Sequence, residues 1–174
     1  MMKRKPKKAQ RSLNRSEPRK RSLFEMNLCY LRCLCYLLLK TMHPLFKKAS
    51  KLTETIIGSA VEVHRDKGPG LIESIYEWCL LKELELRGLS TMSQKVVVVE
   101  YKGFTRDEPL RFDVLVEGCV LVEAKAVEQI LPVHKAQLLS YMKLLDVPLG
   151  LLINFHKPKL TDGVARLILP GTNR

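Results

Sequence analysis

The sequence predicts a mixed α/β domain: a central mixed β-sheet flanked by helices, with elements in the order α-α-β-β-β-α-β-β. Three observations carry that prediction. Apolar residues recur at helical spacing on both sides of a "KGPG" break at 67–70. A β-branched run, "KVVVVEY" at 95–101, comes next. Two Val- and Leu-rich stretches then meet at a Glu-Gly turn in "RFDVLVEGCVLVEAKA", residues 111–126. A sheet fed by helices in this order has to bury its faces under them.

Thr53 is placed to cap a first helix running to about Asp66, with Leu52, Ile56, Ala60 and Val63 on its apolar stripe. Gly68 supplies a left-handed stop and Pro69 cannot continue the helix. A second helix is expected from about Leu71 to Arg87, ending at Gly88. Its apolar positions include Ile72, Ile75, Tyr76, Cys79, Leu80 and Leu84. After the strand at 95–101 a turn falls near Gly103, and the 111–126 hairpin follows. Pro132 then opens a helix to about Leu145. "LGLLINF" (149–155) reads as a buried strand and "VARLIL" (164–169) as a short last one.

The net charge of +12 is unevenly distributed. Residues 1–51 hold 15 Lys and Arg against Glu17 and Glu25, a net of +13, while residues 52–174 hold 15 basic against 16 acidic groups, a net of −1. The chain therefore divides into a basic leader, 1–51, expected to be disordered, and a near-neutral domain, 52–174. Met42 opens a stretch of ordinary globular composition, so residues 1–41 read as an extension ahead of the working protein. Five cysteines, an odd number, do not suggest a disulfide framework and point to a reducing cytoplasm. Cys79 and Cys119 read as buried thiols. Cys29, Cys33 and Cys35 lack a second ligand cluster at zinc-finger spacing. "LCYLRCLCYLLL" (28–39) is short of the roughly twenty residues that span a bilayer.

The hairpin poses the functional question, because it sets Asp113, Glu123 and Lys125 into an apolar sheet where an unpaired ion is costly. Alternation puts Glu123 and Lys125 on one face with Leu121 and Cys119, and Asp113 with Arg111 and Leu115. A two-residue turn at Glu117-Gly118 would pair Asp113 with Val122 and send the carboxylates to opposite faces. A three-residue loop, Val116-Glu117-Gly118, would set Asp113 against Leu121 with Glu123 on the diagonal, about 7–8 Å away. Only the second lets both acids meet one cation. A plain salt-bridge cluster, with Arg111 and Lys125 neutralising the acids, explains the same residues without a function.

D-x9-E-x-K on neighbouring strands resembles the core of the PD-(D/E)XK nuclease superfamily. "GLIESIY" (70–76) resembles the G-x-x-E-x-x-Y signature of the GxxExxY family, and "VEAKAVEQILPVHKAQLLSYMKLL" and "LGLLINF" look like later blocks of that family. The likeness covers roughly residues 44–170. Phe112 stands where the Pro of the "PD" motif would be, which removes no ligand.

The resemblance implies a restriction-endonuclease-like core and a metal-dependent nuclease site without naming a substrate; the leading expectation is a nuclease acting on DNA ahead of RNA. It implies that Asp113 and Glu123 bind Mg²⁺ or Mn²⁺, hard cations that prefer oxygen, with the Ala124 carbonyl as a further oxygen. Glu73 corresponds to the acid such nucleases contribute from a helix. Lys125 would orient or help deprotonate water, its pKa depressed by burial or left normal by the acids. Gln137, on the helix after E-x-K, would act near the metal. Tyr76 would fill core or orient Glu73, while His64 and His134 read as structural. The expected partner is nucleic acid, with no membrane. The alternative function is a non-catalytic nucleic-acid- or protein-binding module that keeps the fold. No Ser-His-Asp arrangement, Gly-rich phosphate loop or zinc-type cluster offers a rival site.

Overall fold

A computed structural model describes residues 42–172. The basic arm, the 28–39 stretch and the Cys29/Cys33/Cys35 cluster lie outside the described residues. The elements are α1 (Phe46–Lys67), α2 (Glu73–Leu86), β1 (Thr91–Tyr101), β2 (Phe104–Val116), β3 (Val120–Lys125), α3 (Pro132–Leu145), β4 (Leu149–Asn154) and β5 (Val164–Ile168), with a 3-10 turn at Leu160–Gly163 before β5. They form one sheet in the order β1-β2-β3-β4-β5. The β3–β4 pair is parallel and the others are antiparallel. The predicted mixed sheet and element order are both present.

α1 begins at Phe46, about two turns before the expected cap. Ala49 is fully buried and continues the stripe of Ile56, Ala60 and Val63, while Lys47, Lys48 and Lys51 face outward. Charge alone groups these residues with the leader; packing assigns them to the domain. The Thr53 hydroxyl donates to the Ser50 carbonyl at 2.7 Å within the helix and caps nothing. On α2, Tyr76, Leu80 and Leu84 are fully buried, but Ile75, and Ile72 just before the helix, are exposed rather than in the core.

Two apolar layers cover the sheet. One joins α1 and α2 to Val114, Val116, Val120, Val122, Ala124, Leu151 and Ile153. The other joins Leu138, Met142 and Leu145 of α3 to Phe112, Leu115, Leu121 and Leu152. β3 and β4 are buried along their whole length, as strands covered on both faces should be. Among the described residues no helix is long and apolar enough to cross a membrane.

Candidate active site

An irregularity in the sheet places Asp113. β1 pairs Met92 with Leu115 and then Gln94 with Arg111, so Ser93 alone stands opposite Phe112, Asp113 and Val114. The extra residues bend β2, as bulges do. Pairing of β2 with β3 begins at Val114↔Val122, which leaves Asp113 outside both ladders.

The register also settles the turn. Val116 pairs with Val120, so the loop is Glu117-Gly118-Cys119, three residues long but one position beyond the expected Val116-Glu117-Gly118. Leu121 faces Leu115, not Asp113. Continued past Val114↔Val122, that register would set Asp113 level with Glu123 instead of on its diagonal. The physical reason is Glu117, which joins Gly118 in the left-handed region at φ 51. Its carboxylate is held there by Lys48 Nζ at 2.7 Å and by the Ser90 N–H at 2.9 Å.

The carboxylate of Asp113 takes the place of missing strand backbone. Lys125 O accepts from Phe155 N, beyond the end of β4, at 2.7 Å. Alternation therefore turns the neighbouring Ala124 N–H toward β2, where it donates to Asp113 Oδ2 at 2.8 Å. Burial pushes the Asp113 carboxyl up to about 7; the Glu123 charge adds to this, while the Ala124 N–H and Lys125 oppose it.

Lys125 Nζ donates to Glu123 Oε1 and to Glu73 Oε1, both at 2.8 Å. Burial works against this ammonium, but hydrogen bonds to Glu123 and Glu73 and the charges of Glu123 and Asp113 outweigh it and push its pKa up to about 12. Neither the depressed nor the ordinary value expected for Lys125 holds in this arrangement. Glu123 is 4% exposed, and its Oε2 has no hydrogen-bond partner.

Glu73 is the first residue of α2, and the preceding loop explains why. Gly70 has φ 105, a conformation that L side chains rarely adopt. Tyr76 is fully buried and stacks on Phe155 with ring centroids 4.5 Å apart. Its hydroxyl donates to Gly68 O at 2.6 Å and accepts from Leu71 N at 3.0 Å. Tyr76 thus staples the loop that launches the helix and makes no bond to Glu73.

The structure brings Glu73, Asp113, Glu123 and Lys125 together through these contacts. Gln137 is exposed on α3 and has no side-chain hydrogen bond among the described residues. His64 bonds Lys157 O at 2.9 Å, and His134 Nδ1 accepts from Leu131 N at 3.2 Å, both structural roles. Among the described residues Arg111 forms no ion pair with the acids, and Lys125 pairs with Glu73 and Glu123. Sequence reasoning missed Glu77. Desolvation and then the charges of Glu123 and Glu73 push this carboxyl up, and it lines a pocket with Asp113. Its position one helical turn after Glu73 was the available signal.

A family model of the PD-(D/E)XK nuclease superfamily matches residues 50–167, most of the chain. The chain belongs to the PD-(D/E)XK nuclease superfamily. No curated protein and no solved structure matches it. The PD-(D/E)XK match runs from the interior of α1 into β5, so it covers most of both core layers and the elements that carry the four charged residues.

A PD-(D/E)XK nuclease is expected to use a divalent metal, and the residues present fit one. Glu123 offers a buried oxygen that lacks a partner, and Asp113 adds a second carboxylate beside it. The donor set is all oxygen, which suits a hard cation. Among the described residues no three His, Cys, Asp or Glu side chains already form a metal cage. In this arrangement the Lys125 ammonium stands between Glu73 and Glu123.

Proposed function

We propose that this chain is a metal-dependent nuclease that hydrolyses phosphodiester bonds, in DNA rather than RNA, with Mg²⁺ or Mn²⁺ as cofactor. We place its action in the cytoplasm and the chain within the GxxExxY branch of the superfamily. The observation that carries the reading is the buried Glu123 carboxylate, with one oxygen on Lys125 and the other unpaired, beside an Asp113 held out of the sheet by a bulge. The G-x-x-E-x-x-Y segment supports the GxxExxY assignment, since Gly70, Glu73 and Tyr76 act as one unit that presents the helical acid.

Asp113 and Glu123 would hold the ion, with the Ala124 carbonyl and Glu73 completing the oxygen set. The bound ion would polarise the scissile phosphate, acidify a water and stabilise the leaving oxygen. Lys125 remains an ammonium here, so it acts as a hydrogen-bond donor that orients water or a phosphate oxygen and has no free lone pair to take a proton. Gln137, exposed on α3, is assigned a contact with bound substrate.

The test is hydrolysis by the full chain of single-stranded, duplex and branched DNA, and of RNA, with Mg²⁺, Mn²⁺ or a chelator. Metal-dependent cleavage that Glu123→Ala abolishes is expected. No cleavage of any substrate, or undiminished cleavage by the variant, overturns the proposal. The two ion pairs that occupy Lys125 favour a second reading, a nucleic-acid- or protein-binding module that has kept the fold without catalysis. That module would bind a partner and hydrolyse nothing.

A further inference from the structure

The bulge that places Asp113 also opens a pocket of about 510 Å³, lined by Glu77, Ser93, Gln94, Arg111, Phe112 and Asp113. It lies where β1 and β2 part. Two of its walls are acidic, so a phosphodiester entering it needs a cation and hydrogen-bond donors. Lys125 is committed to Glu73 and Glu123, and Arg106 on the same strand as Arg111 is paired with Glu108 at 2.8 Å. Arg111 is exposed and has no such partner among the described residues. Ser93 and Gln94 likewise make no side-chain hydrogen bond among the described residues, and Ser93 is the single residue that faces the bulge. Three unspent donor side chains therefore stand beside the carboxylate assigned to the metal.

We propose that Arg111, with Ser93 and Gln94, forms a subsite for a backbone phosphate of the nucleic-acid strand, adjacent to the scissile bond. The inference rests on the nuclease reading and says where that substrate is gripped. A guanidinium presents a planar fork that matches phosphate oxygens in pairs, while the hydroxyl adds one donor and the amide two. Arg111 lies two residues from Asp113, roughly 7 Å along the strand, so the phosphate it holds is a near neighbour of the one cut. Contacts of this kind fix position and carry no base information. The subsite therefore serves any sequence.

The test is fluorescence anisotropy of the full chain with labelled single-stranded and duplex DNA and with RNA of the same sequence. Binding is read in EDTA and in Ca²⁺, across a salt series. Arg111→Gln should weaken binding about tenfold at low salt, the loss of one charge-assisted contact. The slope of log affinity against log salt should become shallower by about one. Arg111→Lys keeps the charge, so it should keep the slope while losing affinity with the fork. Lys82→Gln, on α2 and paired with Glu85, should match wild type. The basic residues of 1–51 contribute equally to every variant, so the comparison is differential. Arg111→Gln with wild-type affinity and slope overturns the subsite, as does a wild-type chain that binds no oligonucleotide. Because binding is read apart from cleavage, failure of the nuclease reading would show as binding without hydrolysis.

Discussion

Replacing Asp113 with Asn should stabilise the metal-free protein, and more so at alkaline pH. The folded-state carboxyl titrates at about 7, against an ordinary 3.8. Folding therefore favours its protonated form. The stability it contributes is fully present below the unfolded value near 4 and is lost as pH rises through 7. Three units at about 1.4 kcal/mol each set an upper limit of about 4 kcal/mol. Asp113 is partly exposed and shares its site with Glu123, which brings the expected gain at pH 8 to about 1–2 kcal/mol. Asn keeps an oxygen to accept the Ala124 N–H, so the hydrogen bond at 2.8 Å survives. Urea unfolding of both proteins with EDTA, at pH 5 and pH 8, is the assay, and the difference between the proteins cancels other titrations. The gap should widen toward pH 8, and Mg²⁺ or Mn²⁺ should stabilise wild type while leaving Asp113→Asn unmoved. A gap independent of pH, or a wild type more stable at pH 8, would refute the idea that strain at Asp113 is held for a cation.

Two further outcomes test the surrounding structure. Lys125→Met strands the buried Glu123 charge and should cost about 3 kcal/mol, read by urea unfolding at pH 8; the double change with Glu123→Leu should recover most of that loss. Tyr76→Phe removes the bonds to Gly68 O and Leu71 N at 2.6 and 3.0 Å. It should cost about 1–2 kcal/mol in melting experiments and lower cleavage more than that loss explains, because the loop that aims Glu73 loosens.

Element order was legible because it depends on periodicity, which survives any detail of packing. The β-branched 95–101 run, Pro132 at the head of α3 and the stop at Gly68 all report local physics. Boundaries were less legible where packing overrides composition: Ala49 is core, yet it sits among three lysines. The site was partly legible. E-x-K alternation and the two acids near a turn are visible in the chain. The bulge is not, because nothing in "FDV" announces that three residues will face Ser93 alone. Glu77 was hidden by the same gap, since its relevance depends on α2 lying over the point where β1 and β2 separate.

That bulge accounts for the combination of charges better than a structural ion cluster does. If Asp113, Glu123 and Lys125 served stability alone, the economical arrangement would pair every charge and keep the sheet continuous. Instead Glu123 buries an oxygen without a partner, and Asp113 is raised far above its ordinary range. Each is a cost that the contacts inside the protein offset only in part. Lys125 relieves one Glu123 oxygen and leaves the other. A divalent ion held by Asp113 and Glu123 would relieve both costs together, and on that reading metal affinity and the instability of the metal-free site rise from the same two carboxylates. Variants that remove either one should lose both properties together.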